Sequence, residues 1–313
     1  MFEAAGKPSE VLALRQVRVP SPSAGEVLIK VDARPIQPAD IMFIGGSYRI
    51  KPQWPQVAGL EASGIVAAVG AGVSIEVGTR VSFRYPGSWA EFAAVPVERL
   101  HIVPAGIAAE SAAQFSLNPI TAWGLLDEVR ANKGDWIAIN AATSGIAQLV
   151  RDLARLRGVS VISIVRPGRR LEGDGPILPS DTQSLADKVL DLTGGVPLAG
   201  LLDSIGGAAI MSMLPAMRQG ATIVSFGVLE RGAANMANSD IIYRNLTWKG
   251  FGIDYWLANS RDRHAAMVDE LWRAIASGAI TLPVRTRYAL DEFQEAIADA
   301  AAGDRPGKVL IVD

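Results

Sequence analysis

The chain has 313 residues, 49% of them hydrophobic and 20% charged, with a formal net charge of −2. That length suits two domains better than one core, and the near-neutral balance lacks the basic footprint of a nucleic-acid binder. Cysteine is absent, which excludes disulfides and thiolate metal sites.

The first stretch, MFEAAGKPSE, runs directly into globular sequence without a signal-peptide or transit-peptide pattern. No uninterrupted apolar run is long enough to span a bilayer. The expectation is a soluble, cytoplasmic protein with no membrane partner and no nucleic-acid partner.

From Met1 to about Leu117 the segments are short and β-rich: 26–33, 63–69, 79–83 and 91–95. Clusters such as PSPSAG, PGSW and VPAG punctuate them, the pattern of an all-β or barrel-like unit. After Asn118 the character changes. Residues 136–140 form a short apolar run. The segment 145–157 then places Ile146, Leu149, Val150, Leu153 and Leu156 at helical spacing. Residues 160–165, 199–203 and 222–226 read as further buried strands. Such alternation predicts a doubly wound parallel sheet, an α/β fold. Residues 264–277 read as one helix. The tail ends in KVLIV, a strand able to rejoin the first domain. The expected organisation is a discontinuous β-rich domain over 1–118 and 265–313, and a nucleotide-binding domain over 119–264, with a cleft between them.

Two places carry the cofactor argument. Asn140-Ala-Ala-Thr-Ser-Gly145-Ile146 follows a strand and opens a helix, so backbone N–H groups at the helix N-terminus can hold a pyrophosphate. Only one glycine is present here, although Ala141, Ala142 and Ser144 are small enough for close approach. Taken alone, the stretch is an ordinary strand-to-helix turn. The second place is the end of the next strand, Arg166-Pro-Gly-Arg169-Arg170. An acid there would suit NADH by accepting from the ribose hydroxyls. Three arginines instead suit the 2′-phosphate of NADPH, against the alternative of a solvated basic turn. Beyond them, Leu171–Pro179 holds two prolines and two glycines, which argue against a helix.

The stretch Pro55-Gln-Val-Ala-Gly59-Leu60-Glu61-Ala-Ser-Gly64 through Gly70, continued by Gly78-Thr79-Arg-Val81, resembles the medium-chain dehydrogenase/reductase superfamily. Thr79 stands where that family usually has Asp. Gln37-Pro-Ala-Asp40, Gly46-Ser-Tyr48 and Lys51-Pro52 resemble the substrate-side loop of its zinc-free 2-enoyl thioester reductase and quinone oxidoreductase branch. So do Ser88-Trp-Ala-Glu91, Asn118-Pro-Ile-Thr121-Ala122, and Gly250-Phe251 with Tyr255-Trp256. Several ordered matches are a stronger signal than one glycine motif. The resemblance implies a Rossmann-like domain joined to a GroES-like domain. Leu60 sits where zinc members have a histidine ligand, and only His101 and His264 remain as imidazoles, so no metal is expected. Glu61 then reads as an ion-pair or hydrogen-bond partner.

The same resemblance implies a cofactor site of Thr121, Ser144, Gly145, Ile146, Arg166, Arg169, Arg170, Phe226, Gly227, Phe251, Ile253 and Lys308. It makes Tyr48 the candidate catalytic residue, a hydroxyl that stabilises the oxyanion formed as hydride adds to an enone or enoyl thioester. The alternative for Tyr48 is a ring packed against Trp54 or substrate. Trp123, Tyr255 and Trp256 read as pocket walls or core. The expected activity is NADPH-dependent reduction of the carbon–carbon double bond of an α,β-unsaturated thioester or ketone. The alternatives are quinone reduction and non-catalytic NADPH binding. A homodimer is expected, with 246–251 as an edge strand or, alternatively, an interior strand.

Overall fold

The computed structural model of the protein describes residues 1–171, 175–302 and 306–313. The chain divides into two compact units, Met1–Leu117 with Glu270–Asp313, and Asn118–Asp269.

The first unit starts with α1 (Pro8–Val11) and strand β1 (Glu26–Pro35). In β1 the alternate residues Val27, Ile29, Val31 and Ala33 are buried, the two-residue period of a strand with one face on a core. Next come α2 (Pro38–Ile44), β2 (Glu61–Val69), β3 (Arg80–Arg84), β4 (Phe92–Pro96), β5 (Leu100–Ile102) and α3 (Ala109–Ala113). Strands β1 with β2, β2 with β3, β3 with β5 and β1 with β4 all pair antiparallel. Val27, Ile29, Val66, Val81, Phe83 and Val95 pack together beneath them.

The second unit opens with α4 (Asn118–Val129) and β6 (Trp136–Ile139). It continues through α5 (Gly145–Leu156), β7 (Ser160–Val165), β8 (Ile177–Pro179), α6 (Leu185–Leu192), β9 (Leu198–Asp203) and β10 (Met217–Ser225). The elements α7 (Asn238–Arg244), β11 (Thr247–Gly250), α8 (Ile253–Asn259) and α9 (Arg261–Ala276) follow. The sheet runs β11-β10-β9-β6-β7-β8, and every neighbouring pair is parallel. Strand order reverses between β6 and β9, which makes this a doubly wound α/β sheet. The chain then returns to the first unit with β12 (Val284–Tyr288), α10 (Phe293–Ala301) and β13 (Lys308–Val312). The KVLIV strand pairs antiparallel with β1 and parallel with β12.

Several details differ from the sequence reading. Of the apolar positions on α5, Leu149, Val150 and Leu153 are buried, but Leu156 is 49% exposed. Strand β10 begins at Met217 rather than near Thr222, with a register irregularity between the two. The proline- and glycine-rich stretch after Arg170 ends in β8, a short edge strand parallel to β7; residues 172–174 of it lie outside the described residues. Helix α4 is buried nearly all round, so it has no amphipathic stripe to reveal it.

Inside the first unit a buried charge network ties β2, α2 and β13 together. Glu61, the first residue of β2, is 1% exposed. One of its oxygens accepts from the Leu117 backbone N–H at 2.7 Å, and the other from the Gln37 side-chain amide. The Gln37 carbonyl oxygen accepts from Lys308 Nζ at 3.3 Å. The Gln37 backbone N–H donates to Asp40 Oδ2 at 2.8 Å, which fixes the first turn of α2. Burial pushes the Glu61 carboxyl up to about 8, opposed by the Leu117 hydrogen bond and by Lys308 and reinforced by Asp40. Burial likewise raises Asp40 to about 7 and pushes the Lys308 ammonium down against the pull of both carboxylates.

A carboxyl whose proton is held more tightly in the fold stabilises it at low pH. That contribution fades as pH rises through the folded value. The melting temperature is therefore expected to fall between about pH 5 and pH 9. Glu61→Gln, neutral throughout, flattens this fall. An unchanged pH slope in the variant would show that Glu61 does not hold the proton.

Candidate functional site

Because the six strands of the second unit are parallel, their C-terminal ends lie along one edge of the sheet. The loops that leave this edge carry most of the residues singled out by sequence. At the end of β6, Asn140 to Ser144 form a tight turn into α5. Ala141 takes a left-handed conformation, φ 47°, a position usually given to glycine; this is how the turn forms with one glycine. The Ala142 N–H donates to the Ile164 carbonyl of β7 at 3.2 Å, and Arg151 of α5 donates to the Ala142 carbonyl at 2.7 Å. Ser144 is the N-cap, its hydroxyl accepting from the Ala147 N–H at 3.3 Å. That cap leaves other N–H groups of the first turn directed outward. A Cβ at Gly145 would meet nothing nearer than Asn118 Nδ2 at 4.0 Å, so the approach to the helix end is clear.

The adjacent strand β7 delivers Arg166, Arg169 and Arg170. Arg166 and Arg170 are exposed and Arg169 is half-buried. At the end of β10, Phe226 and Gly227 are half-buried, and the Phe226 N–H donates to the Asp203 carbonyl at 2.8 Å. Any side chain at Gly227 would meet the Ser204 carbonyl at 2.5 Å. Beyond β11, the Phe251 N–H donates to the Ser225 carbonyl at 2.8 Å, and Ile253, the first residue of α8, is buried. Gly124 on α4 admits the Phe251 ring, which a Cβ would meet at 2.8 Å. Thr121 is buried on the same helix. Of the aromatic residues read as walls or core, Trp123 and Trp256 are buried with ring centroids 5.6 Å apart. Tyr255, by contrast, is 76% exposed.

The arrangement fits a phosphorylated dinucleotide. A capped helix N-terminus supplies N–H donors for a pyrophosphate, and the arginines of the next loop supply charge for a further phosphate. Asp203, buried and bonded to Asn140, was not singled out from the sequence, because a polar residue at a strand end reads as a turn residue until its partners are seen.

Tyr48 and Lys308 belong to the first unit. Lys308 is held by Gln37 in the buried charge network rather than projecting freely. Tyr48 sits in the turn after α2, where its N–H donates to the Met42 carbonyl at 3.0 Å. Its ring packs on the cluster that includes Phe2, Phe43 and Leu60, and the Arg49 guanidinium lies 5.6 Å from the ring centroid. Trp54 is 55% exposed. The buried Arg84 guanidinium was also missed by the sequence reading. Burial lowers its proton affinity, and Tyr48 and Glu61 oppose that effect. Leu60, at the position of a zinc ligand in other family members, is buried in the same apolar cluster. No cluster of metal-ligating side chains occurs among the described residues.

Residues 23–105 match the alcohol dehydrogenase GroES-like domain family, and residues 179–311 match the family described as zinc-binding dehydrogenase. The mitochondrial enoyl-[acyl-carrier-protein] reductase of Xenopus tropicalis is 30% identical, over 96% of this chain and 91% of its own length. A mycobacterial quinone oxidoreductase superposes with a TM-score of 0.90 at 27% identity, covering 100% of this chain and 98% of that one. A mycobacterial protein solved with NADPH superposes with a TM-score of 0.86 at 27% identity, over the same shares of the two chains. The chain belongs to the medium-chain dehydrogenase/reductase superfamily of oxidoreductases, in the branch that holds enoyl reductases and quinone oxidoreductases.

Proposed function

We propose that the protein is an NADPH-dependent reductase of the carbon–carbon double bond in an α,β-unsaturated thioester or ketone. The observation that carries the cofactor half is the meeting, at one sheet edge, of the Ser144-capped helix with the arginine-bearing loop after β7. NADPH supplies the hydride that adds to the β-carbon of the substrate. The chain's own residues orient and polarise. Gly145 and Ile146 would present backbone N–H groups to the pyrophosphate, and Ser144, whose own N–H donates to the Ala141 carbonyl at 2.9 Å, caps the helix that carries them. Arg166, Arg169 and Arg170 would hold the 2′-phosphate, while Thr121, Phe226, Gly227, Phe251 and Ile253 would line the rest of the cofactor's seat.

The Tyr48 hydroxyl would donate a hydrogen bond to the substrate carbonyl oxygen, where negative charge gathers as hydride adds. Support for an enoyl substrate comes from the full-length similarity to enoyl reductases. Support for the second reading, quinone reduction, comes from the quinone oxidoreductase neighbour.

The same proposal includes a homodimer joined along β11. This strand is an edge of the sheet, and exposed edges carry unpaired N–H and C=O groups. Ile242 and Tyr243, just before it, are 69% and 80% exposed. Light scattering at micromolar concentration is expected to give twice the chain mass; a single-chain mass would overturn the dimer.

For the cofactor, Arg166→Ala is expected to raise the KM for NADPH by roughly 10- to 100-fold, the loss of one charged phosphate contact. The KM for NADH should barely move. Equal damage to both cofactors would make the arginine structural.

For the chemistry, initial rates with enones, enoyl thioesters and quinones separate the readings. The enoyl reading expects turnover of the unsaturated carbonyl compounds. Tyr48→Phe keeps the ring and removes the donor, and it should lower that turnover by ~10²–10³ with NADPH affinity unchanged. Turnover of quinones alone would favour the second reading. NADPH binding without turnover of any substrate would leave a non-catalytic binding protein.

A further inference from the structure

A continuous hydrogen-bond chain crosses the second unit from the cofactor turn to the edge of the sheet. It begins at Asn140, the last residue before the turn into α5. The Asn140 side-chain amide donates to Asp203 Oδ1 at 2.6 Å, and its carbonyl oxygen accepts from the Ser204 N–H at 2.7 Å. Asp203 ends β9 and is 0% exposed. Its Oδ1 also accepts from the N–H groups of Ile205 at 3.1 Å and Gly206 at 3.0 Å. Its Oδ2 accepts from the Ser225 hydroxyl at 3.1 Å. Ser225 ends β10, and its hydroxyl oxygen accepts in turn from Trp248 Nε1 at 2.9 Å. Trp248 lies on the edge strand β11 and is 38% exposed.

Each link is chemically committed. A serine hydroxyl has one proton to give, and Ser225 gives it to Asp203 while accepting from the indole. A buried carboxylate needs several donors to stay in place, and Asp203 draws them from three different loops. The main chain reinforces the pattern: the Asp203 and Ser225 carbonyls accept from Phe226 and Phe251 respectively. The residues that set the turn before Ser144, the Phe226–Gly227 loop and the Phe251 loop therefore share one buried anchor.

We propose that Asp203 is the positioning residue of the cofactor site, and that the Asn140–Asp203–Ser225–Trp248 chain couples seating of the dinucleotide to the edge strand β11. This rests on the cofactor reading above. Asp203 touches neither the dinucleotide nor the substrate in this account; it acts through Asn140 and through the two loops that its neighbours hold. Because bonds in such a chain polarise one another and share atoms, a shift of the Asn140 turn is passed to the hydroxyl of Ser225 and so to the indole. By linkage, what happens at the edge strand is felt at the cofactor site.

The test uses the whole protein labelled with 5-fluorotryptophan, the Trp248 fluorine resonance assigned by its loss in Trp248→Phe. Calorimetry with NADPH runs on the same samples. In the unaltered protein, saturating NADPH is expected to shift the Trp248 resonance. Ser225→Ala removes the shared hydroxyl and should abolish that shift while calorimetry still records binding. Asp203→Asn should weaken NADPH binding by roughly 10- to 100-fold, the scale of a buried charged hydrogen-bond anchor. Circular dichroism checks that variant's fold, and the Ser225→Ala arm decides the coupling alone if Asp203→Asn does not fold. A Trp248 resonance that stays still while calorimetry shows binding overturns the proposal, and so does a shift that survives in Ser225→Ala. Unchanged NADPH affinity in a folded Asp203→Asn overturns the positioning role. Absence of binding heat in the unaltered protein is a separate outcome: it overturns the cofactor reading itself, and the coupling with it.

Discussion

The parallel alignment of six strands is the constraint on which the second unit depends. In such a sheet every strand ends at the same edge, so the loops that follow β6, β7, β9, β10 and β11 converge whatever their sequence. Convergence brings backbone dipoles, arginines and aromatic rings together, but it also buries polar strand ends that must find partners. Asp203 resolves that conflict for three loops at once. The helix α4 approaches the sheet closely because Gly200 lacks a side chain; a Cβ there would meet Val129 at 2.2 Å.

The first unit follows a different logic. Its antiparallel strands bury an apolar core by simple alternation, yet it also buries two carboxyls and a guanidinium near α2, with the half-buried Lys308 beside the carboxyls. Burying charge is costly unless the groups pair or give up their charge. Here both routes operate: Gln37 bridges Glu61 and Lys308, while burial drives Glu61 and Asp40 towards the protonated form. The network holds the start of α2, and α2 in turn carries the turn that presents Tyr48. In the zinc enzymes of the superfamily the carboxylate at the position of Glu61 lies near the metal. In this chain Leu60 fills the neighbouring ligand position with hydrocarbon, and Glu61 is bound by an amide and a backbone N–H instead.

Much of this was legible from residues alone. Strand-length apolar runs between proline and glycine clusters marked the first unit, and the alternation after Asn118 marked the second, because periodicity reports which face is buried. The tight turn after β6 and the arginine-bearing loop after β7 were legible because they lie on contiguous sequence. What stayed hidden depends on residues far apart in the chain. Asn140 and Asp203 are separated by 63 positions, and nothing in either neighbourhood names the other. Arg84 reads as an ordinary strand-end arginine until its burial beside Glu61 and Tyr48 is seen. Helix α4 carries no periodic signal because it is buried on nearly every side. Tyr255 is exposed while its neighbour Trp256 is buried, because residues one apart on a helix point in different directions.

The central claim is that hydride passes from NADPH to carbon. It is tested most directly with NADPH carrying deuterium at the transferable position and an α,β-unsaturated thioester as acceptor. The product is analysed by mass spectrometry and NMR. The account predicts one deuterium bonded to the β-carbon of the saturated product. Oxidation of the labelled NADPH with no deuterium on carbon, or a substrate recovered unreduced, would contradict it.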